Sequence, residues 1–302
     1  MRLFKILFLV LVLPLSAPAF ADLNVFSCEP HWSALVTEIG GSHVTITTAT
    51  GAYNDPHFIQ ARPSLISAMR RADLVVCNGA DLEVGWLPVL MQQGARDTVQ
   101  PGQPGYLDAS QYIQLLQVPS RVDRAQGDIH PYGNPHIQTD PHVITAVAPE
   151  LAQRMEQLDP SNAAEYQKRY ADFKARWDAA MKKWEQEAAP LKGMKLIAYH
   201  DGWVYMATWL GIDAVGFLEP KPGIPPSPSH LADLLTQIKG EGVAGIIYTP
   251  YEDEEAPDWL SDRGGIPKAL IPDTVGADGD KDLFQFYDLM INQLLKLHGG
   301  GK

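Results

Sequence analysis

A single long amphipathic helix is predicted in the middle of the chain, at residues 159–190. Asp159 can cap this helix and Pro160 suits its first turn, whereas Pro190 and Gly193 end it. Large apolar side chains recur along it every three or four residues: Tyr166, Tyr170, Phe173, Trp177, Met181, Trp184 and Ala188. At ~1.5 Å per residue, its ~29 residues extend on the order of 43 Å. A helix of this length predicts a rigid strut that runs along two domains.

Alternating strand and helix patterns flank this helix on both sides. Before it lie β-like runs at 24–28, 43–48, 73–77 and, weakly, 97–100, with helical patterns at about 31–39, 62–71 and 82–94. After it lie "MKLIAY", "IDAVGF", "VAGIIY" and "PKALI", separated by helical segments such as 202–210 and 228–239. Strands that alternate with helices in this way predict parallel βα units.

The predicted fold class is therefore α/β, with two lobes joined by one long rigid helix. Each lobe is expected to contain a mostly parallel four-stranded sheet flanked by helices. The expected bounds are 22–158 for the N-terminal lobe, 159–190 for the linking helix and 191–302 for the C-terminal lobe.

Residues 1–21 have the pattern of a secretory signal peptide. Two basic residues precede an apolar run, and Ala19 and Ala21 form an A-x-A cleavage pattern. A membrane anchor is the alternative, but the run is shorter than the ~20 residues that span a bilayer. No cysteine follows the run to carry a lipid. We expect cleavage after Ala21 and a periplasmic location.

The charge balance disfavours nucleic acid as a partner. The chain has 24 Lys and Arg against 36 Asp and Glu, a formal net charge of −12, whereas phosphate binding relies on clustered basic residues. A cation is the more natural ligand.

The two cysteines, Cys28 and Cys77, each end a β-like run. In an oxidising compartment they form either one disulfide between strand ends or two separate buried thiols.

Four side chains with metal-ligand chemistry lie in loops that follow predicted strands or in stiff connections. They are His57 in "NDPHF", His136 in "GNPHIQTDP", His200 in "AYHDGW" and Asp273 in "LIPDTVG". Parallel sheets bind ligands at the carboxyl ends of their strands, where such loops meet. Three imidazoles and one carboxylate suit a tetrahedral Zn²⁺ site. The spacing alone leaves open that these are unrelated loop residues.

The run from Leu23 to about Leu297 resembles the zinc- and manganese-binding solute-binding proteins of bacterial ABC importers, the ZnuA/TroA-like cluster A-I. The segments that carry the resemblance appear in the order of that family: "DPHFIQARPSLISAMRRADLVVCNGADLE", "GNPHIQTDP", "AYHDGWVYMATWLGI", "LEPKPGIPPSPSHLADL" and "LIPDTVG". The resemblance implies two lobes joined by one rigid helix and a metal site in the cleft between them.

Carried over position by position, the resemblance implies that His57, His136, His200 and Asp273 bind one metal ion per chain. Manganese binders of the family carry glutamate in the second lobe, so His200 implies the zinc branch. The implied function is capture of Zn²⁺ in the periplasm and delivery to an ABC permease. We also expect a monomer, with a periplasmic metallochaperone as a second candidate partner.

The chain departs from this family in the loop before His136. Zinc members have a long loop rich in histidine and acidic residues, whereas here "RVDRAQGDIHPYGNPH" offers only Asp123, Asp128 and His130. Capacity for several zinc ions is therefore not expected. His130 is either a transient capture site or, the favoured interpretation, a solvated loop histidine.

Several other polar residues have two interpretations. Glu219 is expected to be an ordinary loop carboxylate, with a contact to a metal ligand or an exchangeable metal ligand as the alternatives. Asp140 caps the next helix or orients an imidazole. Asp201, beside His200, is similarly ambiguous. The run "YEDEEAPD" at 251–258 is expected to be a solvated loop. The remaining histidines are expected to be surface or structural residues: His31, His43, His142, His230 and His298.

The alternative functions are manganese transport on the same fold and a zinc-dependent hydrolase. A hydrolase needs an open coordination position for water, which four protein ligands would fill. We therefore expect a binding protein and not an enzyme.

Overall fold

The computed structural model describes residues 22–300, apart from 124, 126 and 278. The predicted signal peptide lies outside the described residues. Each lobe is built on one four-stranded sheet whose strands are all parallel, as predicted. In the described part of the chain, no helix is both long and apolar enough to span a bilayer.

The first lobe contains strands β1 to β4 in the order β2-β1-β3-β4. These strands are β1 Leu23–Ser27, β2 Val44–Thr48, β3 Leu74–Cys77 and β4 Tyr106–Asp108. Its helices are α1 Pro30–Gly40, α2 Pro63–Arg71 and α3 Leu87–Gly94, and α4 Pro141–Leu158 follows a long loop. Proline lies in the first turn of each of these four helices, where its missing N–H costs nothing.

The second lobe repeats the arrangement with β5 to β8 in the order β6-β5-β7-β8. Its strands are β5 Lys195–Ala198, β6 Asp213–Phe217, β7 Val243–Tyr248 and β8 Lys268–Leu270. Its helices are α6 Val204–Leu210, α7 Pro228–Gln237, α8 Glu255–Gly264 and α9 Leu283–Gly300.

Two elements of the first lobe differ from the sequence prediction. Residues 97–100 were predicted as a strand, but Asp97–Val99 form a 3-10 turn, and the fourth strand is Tyr106–Asp108. Pro101 follows this turn and has no backbone N–H, so it cannot donate the hydrogen bond that a sheet strand would need at this position. The helix predicted at 82–94 begins only at Leu87, after a loop in which Ala80 and Asp81 have positive φ. Residues 82–86 form successive turns instead, and the φ of −143° at Trp86 keeps the regular helix from beginning before Leu87.

The linking helix α5 is Ala163–Ala188, 26 residues or about 39 Å. It begins after Asn162 and not at Pro160, because Asp159 and Asn162 form a separate turn between α4 and α5. The predicted stripe is largely buried: Tyr166, Phe173, Trp177, Met181, Trp184 and Ala188. The helix packs on α1 and α4 of the first lobe and on α9 of the second. One apolar core therefore runs through both lobes.

Cys28 and Cys77 form a disulfide, which resolves the alternative of two separate thiols. The bridge joins the carboxyl ends of β1 and β3, which are neighbours in the sheet. It therefore stabilises the carboxyl-terminal end of the sheet, from which the loops of the first lobe extend.

Candidate metal centre

Three imidazoles from both lobes meet in the cleft. His57 lies in the loop after β2, His136 in the loop between β4 and α4, and His200 directly after β5. One ring nitrogen of each lies within 4.8 Å of the others. All three loops leave the carboxyl ends of parallel strands, which is where such sheets place their binding residues. The three predicted histidines are therefore brought together.

The Nε2 atoms of His136 and His200 are separated as two ligands of a tetrahedral metal ion would be. His136 Nε2 lies 3.2 Å from His200 Nε2, and His57 Nε2 lies 3.3 Å from His130 Nε2. Metal–nitrogen bonds of ~2.0–2.1 Å in tetrahedral geometry place neighbouring ligand nitrogens ~3.3 Å apart. The His136–His200 pair therefore has the spacing that suits a small ion such as Zn²⁺, and the nitrogens of all three predicted histidines lie within 4.8 Å of one another.

A carboxylate orients each of two imidazoles. Asp55 Oδ1 lies 2.7 Å from His57 Nδ1 and also accepts from the His57 backbone N–H at 2.9 Å. Glu219 Oε2 lies 2.7 Å from His200 Nδ1. A carboxylate at Nδ1 holds the proton there, so the lone pair of the neutral ring is at Nε2. Both Nε2 atoms are thereby prepared to bind a cation.

His136 is held by the stiff loop around it. Its backbone N–H donates to Asn134 Oδ1 at 3.0 Å, and Asn134 Nδ2 donates to the backbone carbonyl of Asp201 at 2.6 Å. The Asp201 carboxylate accepts from Gln117 Nε2 at 3.0 Å. Asp201 therefore joins the second lobe to the loop that carries His136.

Asp140 caps α4 by accepting a hydrogen bond from the His142 backbone N–H, which is the simpler of its two predicted roles.

Asp273, the fourth predicted ligand, is buried and close enough to His57 for the two to interact electrostatically, but it is not part of the group of three imidazoles whose nitrogens lie within 4.8 Å of one another. Its Oδ2 accepts a hydrogen bond from the Tyr251 hydroxyl at 3.0 Å, while Oδ1 is buried with no hydrogen-bond partner among the described residues. Burial raises the pKa of Asp273 to about 6. A buried carboxylate oxygen without a hydrogen-bond partner raises the free energy of the folded state, and binding of a metal ion to this oxygen would offset that cost.

His130 is not the solvated histidine that the sequence favoured, because it is partly buried against His57. Its loop bridges to the second lobe, where Lys221 Nζ donates to Ala125 O at 2.6 Å and the Asp128 N–H donates to Pro222 O at 2.9 Å. These contacts hold His130 over the cleft, where it provides a fourth imidazole.

Burial and charge tune the histidines in opposite directions. Burial lowers the pKa of His136 far below its usual range, so this ring is neutral at physiological pH. Burial also acts to lower the pKa of His200, but the hydrogen bond and negative charge of Glu219 outweigh it and raise that pKa.

Acidic residues line a cavity of about 180 Å³ next to His57 and His200: Asp55, Asp128, Glu219, Glu252 and Asp253. Burial raises the pKa of Glu252 to about 8.

Tyr251 and Glu252 belong to the run that was predicted to be a solvated loop. That prediction was wrong for residues 251–252, which face the site, and for 255–258, which begin α8. Their place directly after β7, at a carboxyl strand end, could have indicated this.

Two parallel α/β lobes along one helix, with ligand-type side chains from both lobes meeting in the cleft, define a two-lobed binding protein. The family model described as zinc-uptake complex component A, periplasmic (ZnuA), matches residues 25–300, and the chain belongs to this family. Membership in a family of uptake-complex components agrees with the expectation of a binding protein and not an enzyme.

Related proteins carry both zinc and manganese names. The chain is 24% identical over 159 residues to the high-affinity zinc uptake system protein ZnuA of Brucella abortus, a match that covers 53% of this chain and 47% of that protein. The matched part thus spans about half the length of this relative. The chain is 20% identical over 289 residues to the manganese ABC transporter substrate-binding lipoprotein PsaA of Streptococcus pneumoniae, covering 92% of this chain and 88% of that protein.

A crystal structure of ZnuA has a TM-score of 0.75 to this structure at 19% identity, covering 93% of this chain and all of that chain. At this identity the likeness establishes the fold. The predicted fold class is therefore confirmed.

Proposed function

We propose that this protein captures one Zn²⁺ ion per chain through His57, His136, His200 and Asp273 and delivers it to an ABC permease. The observation that carries the proposal is the meeting of three imidazoles, from loops of both lobes, within 4.8 Å. The unpartnered Oδ1 of Asp273 supports the carboxylate as the fourth ligand.

The donor set favours zinc over manganese. Three imidazoles form a nitrogen-rich site, and the general affinity order of divalent metals ranks Zn²⁺ far above Mn²⁺. Manganese sites prefer carboxylate and carbonyl oxygen. The two carboxylates next to the imidazoles, Asp55 and Glu219, contact Nδ1 atoms and so strengthen nitrogen donation instead of replacing it.

Family membership and the sequence both support a place of action outside the cytoplasmic membrane. The family description names a periplasmic component of an uptake complex. The "MRLFKILFLVLVLPLSAPAFA" segment has the pattern of a signal peptide. Both support a protein that binds metal outside the cytoplasmic membrane and passes it to a membrane permease.

Calorimetric titration with Zn²⁺ and with Mn²⁺ tests this function. We expect one tight Zn²⁺ per chain and much weaker Mn²⁺ binding. His200→Ala should remove most of the zinc affinity, whereas His142→Ala, an exposed histidine on α4, is the matched control and should leave it unchanged. Tighter binding of Mn²⁺ than of Zn²⁺ by the wild type would overturn the zinc assignment.

Manganese transport is the second candidate, because PsaA carries that name and matches most of this chain. The same titration separates the two functions. Delivery can be tested in cells that lack the gene for this protein. If the protein serves zinc import, restoring the gene should rescue growth under zinc limitation and not under manganese limitation.

A further inference from the structure

A buried histidine outside the proposed ligand set connects the two lobes. His31, near the start of α1, has no exposed surface. Its Nδ1 lies 2.9 Å from Thr274 Oγ1 in the second lobe, and its Nε2 lies 2.8 Å from Asn78 Oδ1 in the first. The sequence indicated only a surface or structural residue at this position.

The partners of Asn78 determine the direction of these hydrogen bonds. Asn78 Nδ2 donates to the carbonyl of Pro135 at 3.1 Å, and Trp32 Nε1 donates to Asn78 Oδ1 at 2.7 Å. Since Oδ1 is therefore an acceptor, His31 Nε2 carries a proton and donates to it. Burial lowers the pKa of His31 to about 3, so the ring is neutral and its Nδ1 accepts from the Thr274 hydroxyl.

Both ends of this hydrogen-bonded chain lie next to a proposed metal ligand. Thr274 follows Asp273 directly in the loop after β8, and Pro135 precedes His136 directly in the loop before α4. Every bond in the chain is buried. A shift of the Asp273 loop therefore changes the fit at His31, and through Asn78 at the loop of His136.

We propose that His31 and Thr274 are positioning residues that hold the Asp273 loop of one lobe in register with the His136 loop of the other. The proposal rests on the proposed function, because it concerns the same zinc site. Without the His31–Thr274 bond, the Asp273 loop relaxes when no metal is present, and zinc binding must order it again.

Thr274→Val removes the hydroxyl at nearly constant volume, and Thr274→Ser retains it as the matched control. The zinc dissociation constant is measured for each variant by competition with a chelator. We expect about a tenfold weaker affinity for Thr274→Val, the size of effect of one buried hydrogen bond, and an unchanged affinity for Thr274→Ser.

A double-mutant cycle identifies the ligand through which these residues act. In an Asp273→Ala background, Thr274→Val should cause no further loss of zinc affinity. A purely structural role would lower the melting temperature of Thr274→Val with and without zinc while leaving its zinc affinity unchanged, and this result would overturn the proposal. An equal tenfold loss in the Asp273→Ala background would also overturn it. Failure of the wild type to bind zinc would overturn both this inference and the proposed function.

Discussion

Glu219 Oε2 lies 2.7 Å from His200 Nδ1, and the same oxygen accepts a hydrogen bond from the Gly223 N–H at 3.0 Å. One carboxylate thus orients a proposed metal ligand and the turn at residues 221–224 that contacts the His130 loop. The sequence favoured an ordinary loop carboxylate at this position. The contact shows instead that Glu219 controls which ring nitrogen of His200 faces the cleft.

We expect Glu219→Ala to weaken zinc binding by roughly 10- to 100-fold, because the His200 ring loses the partner that fixes its tautomer and orientation. The measurement is the zinc dissociation constant. Glu185→Ala, which removes an exposed carboxylate from α5, is the control and should bind zinc like the wild type. Equal affinities of the two variants would contradict this role of Glu219.

Zinc affinity should fall as the pH is lowered from about 7.5 to about 5. A protonated imidazole cannot bind metal, and the pKa of His200 is raised by Glu219 despite burial, so proton competition begins above the ordinary histidine pKa of ~6.5. Asp273, whose pKa burial raises to about 6, accepts a second proton and steepens the loss below that pH.

Glu219→Gln tests the cause of this pH dependence. It removes the negative charge that raises the pKa of His200, so the loss of affinity should begin at a lower pH than in the wild type. Zinc titrations at a series of pH values measure the shift. An identical pH profile in both proteins would mean that another group is responsible.

Removal of zinc should change the shape of the protein only slightly. The helix α5 packs along both lobes and leaves no flexible hinge, so solution scattering should give nearly equal radii of gyration with and without zinc. Hydrogen exchange should rise in the loops 52–60, 124–140 and 199–206, which carry the imidazoles. A large change in radius, or unchanged exchange in all three loops, would contradict this expectation.

The disulfide should stabilise the protein substantially. Cys28 and Cys77 are 49 residues apart, and closing a loop of that length is worth about 4 kcal/mol in the chain-entropy model. The double variant Cys28→Ala/Cys77→Ala should therefore unfold at clearly lower urea concentration. Far-ultraviolet circular dichroism gives the midpoint. An unchanged midpoint would show that the bridge is dispensable for stability.

The parts of the fold that repeat could be predicted from the sequence. Seven of the strands and the linking helix have strong local patterns, and His57, His136 and His200 follow stiff loops at strand ends. The fourth strand was not predicted, because Tyr106–Asp108 directly follows the proline- and glycine-rich segment 101–105 and is held by pairing with β3. Such a strand depends on tertiary contacts more than on propensity.

The partners of the ligands were harder to predict because they come from distant parts of the chain. His31 reaches Thr274 across 243 residues, and Glu219 reaches His200 from the next strand end. Neither contact leaves a local signal in composition or periodicity. Asp55 is the exception, because it stands two residues before His57 in the same motif.

The core shared by the two lobes also determines how the chain can be divided. Trp177 and Trp184 of α5 pack against Phe284 and Tyr287 of α9, with ring centroids 5.1 Å apart for Trp177–Phe284 and Trp184–Tyr287. A fragment that ends after α5 would expose these indole rings to water, and a fragment that begins after it would expose the aromatic face of α9. Although the chain has two sheets, we therefore expect it to unfold as one cooperative unit, and neither half is expected to fold on its own.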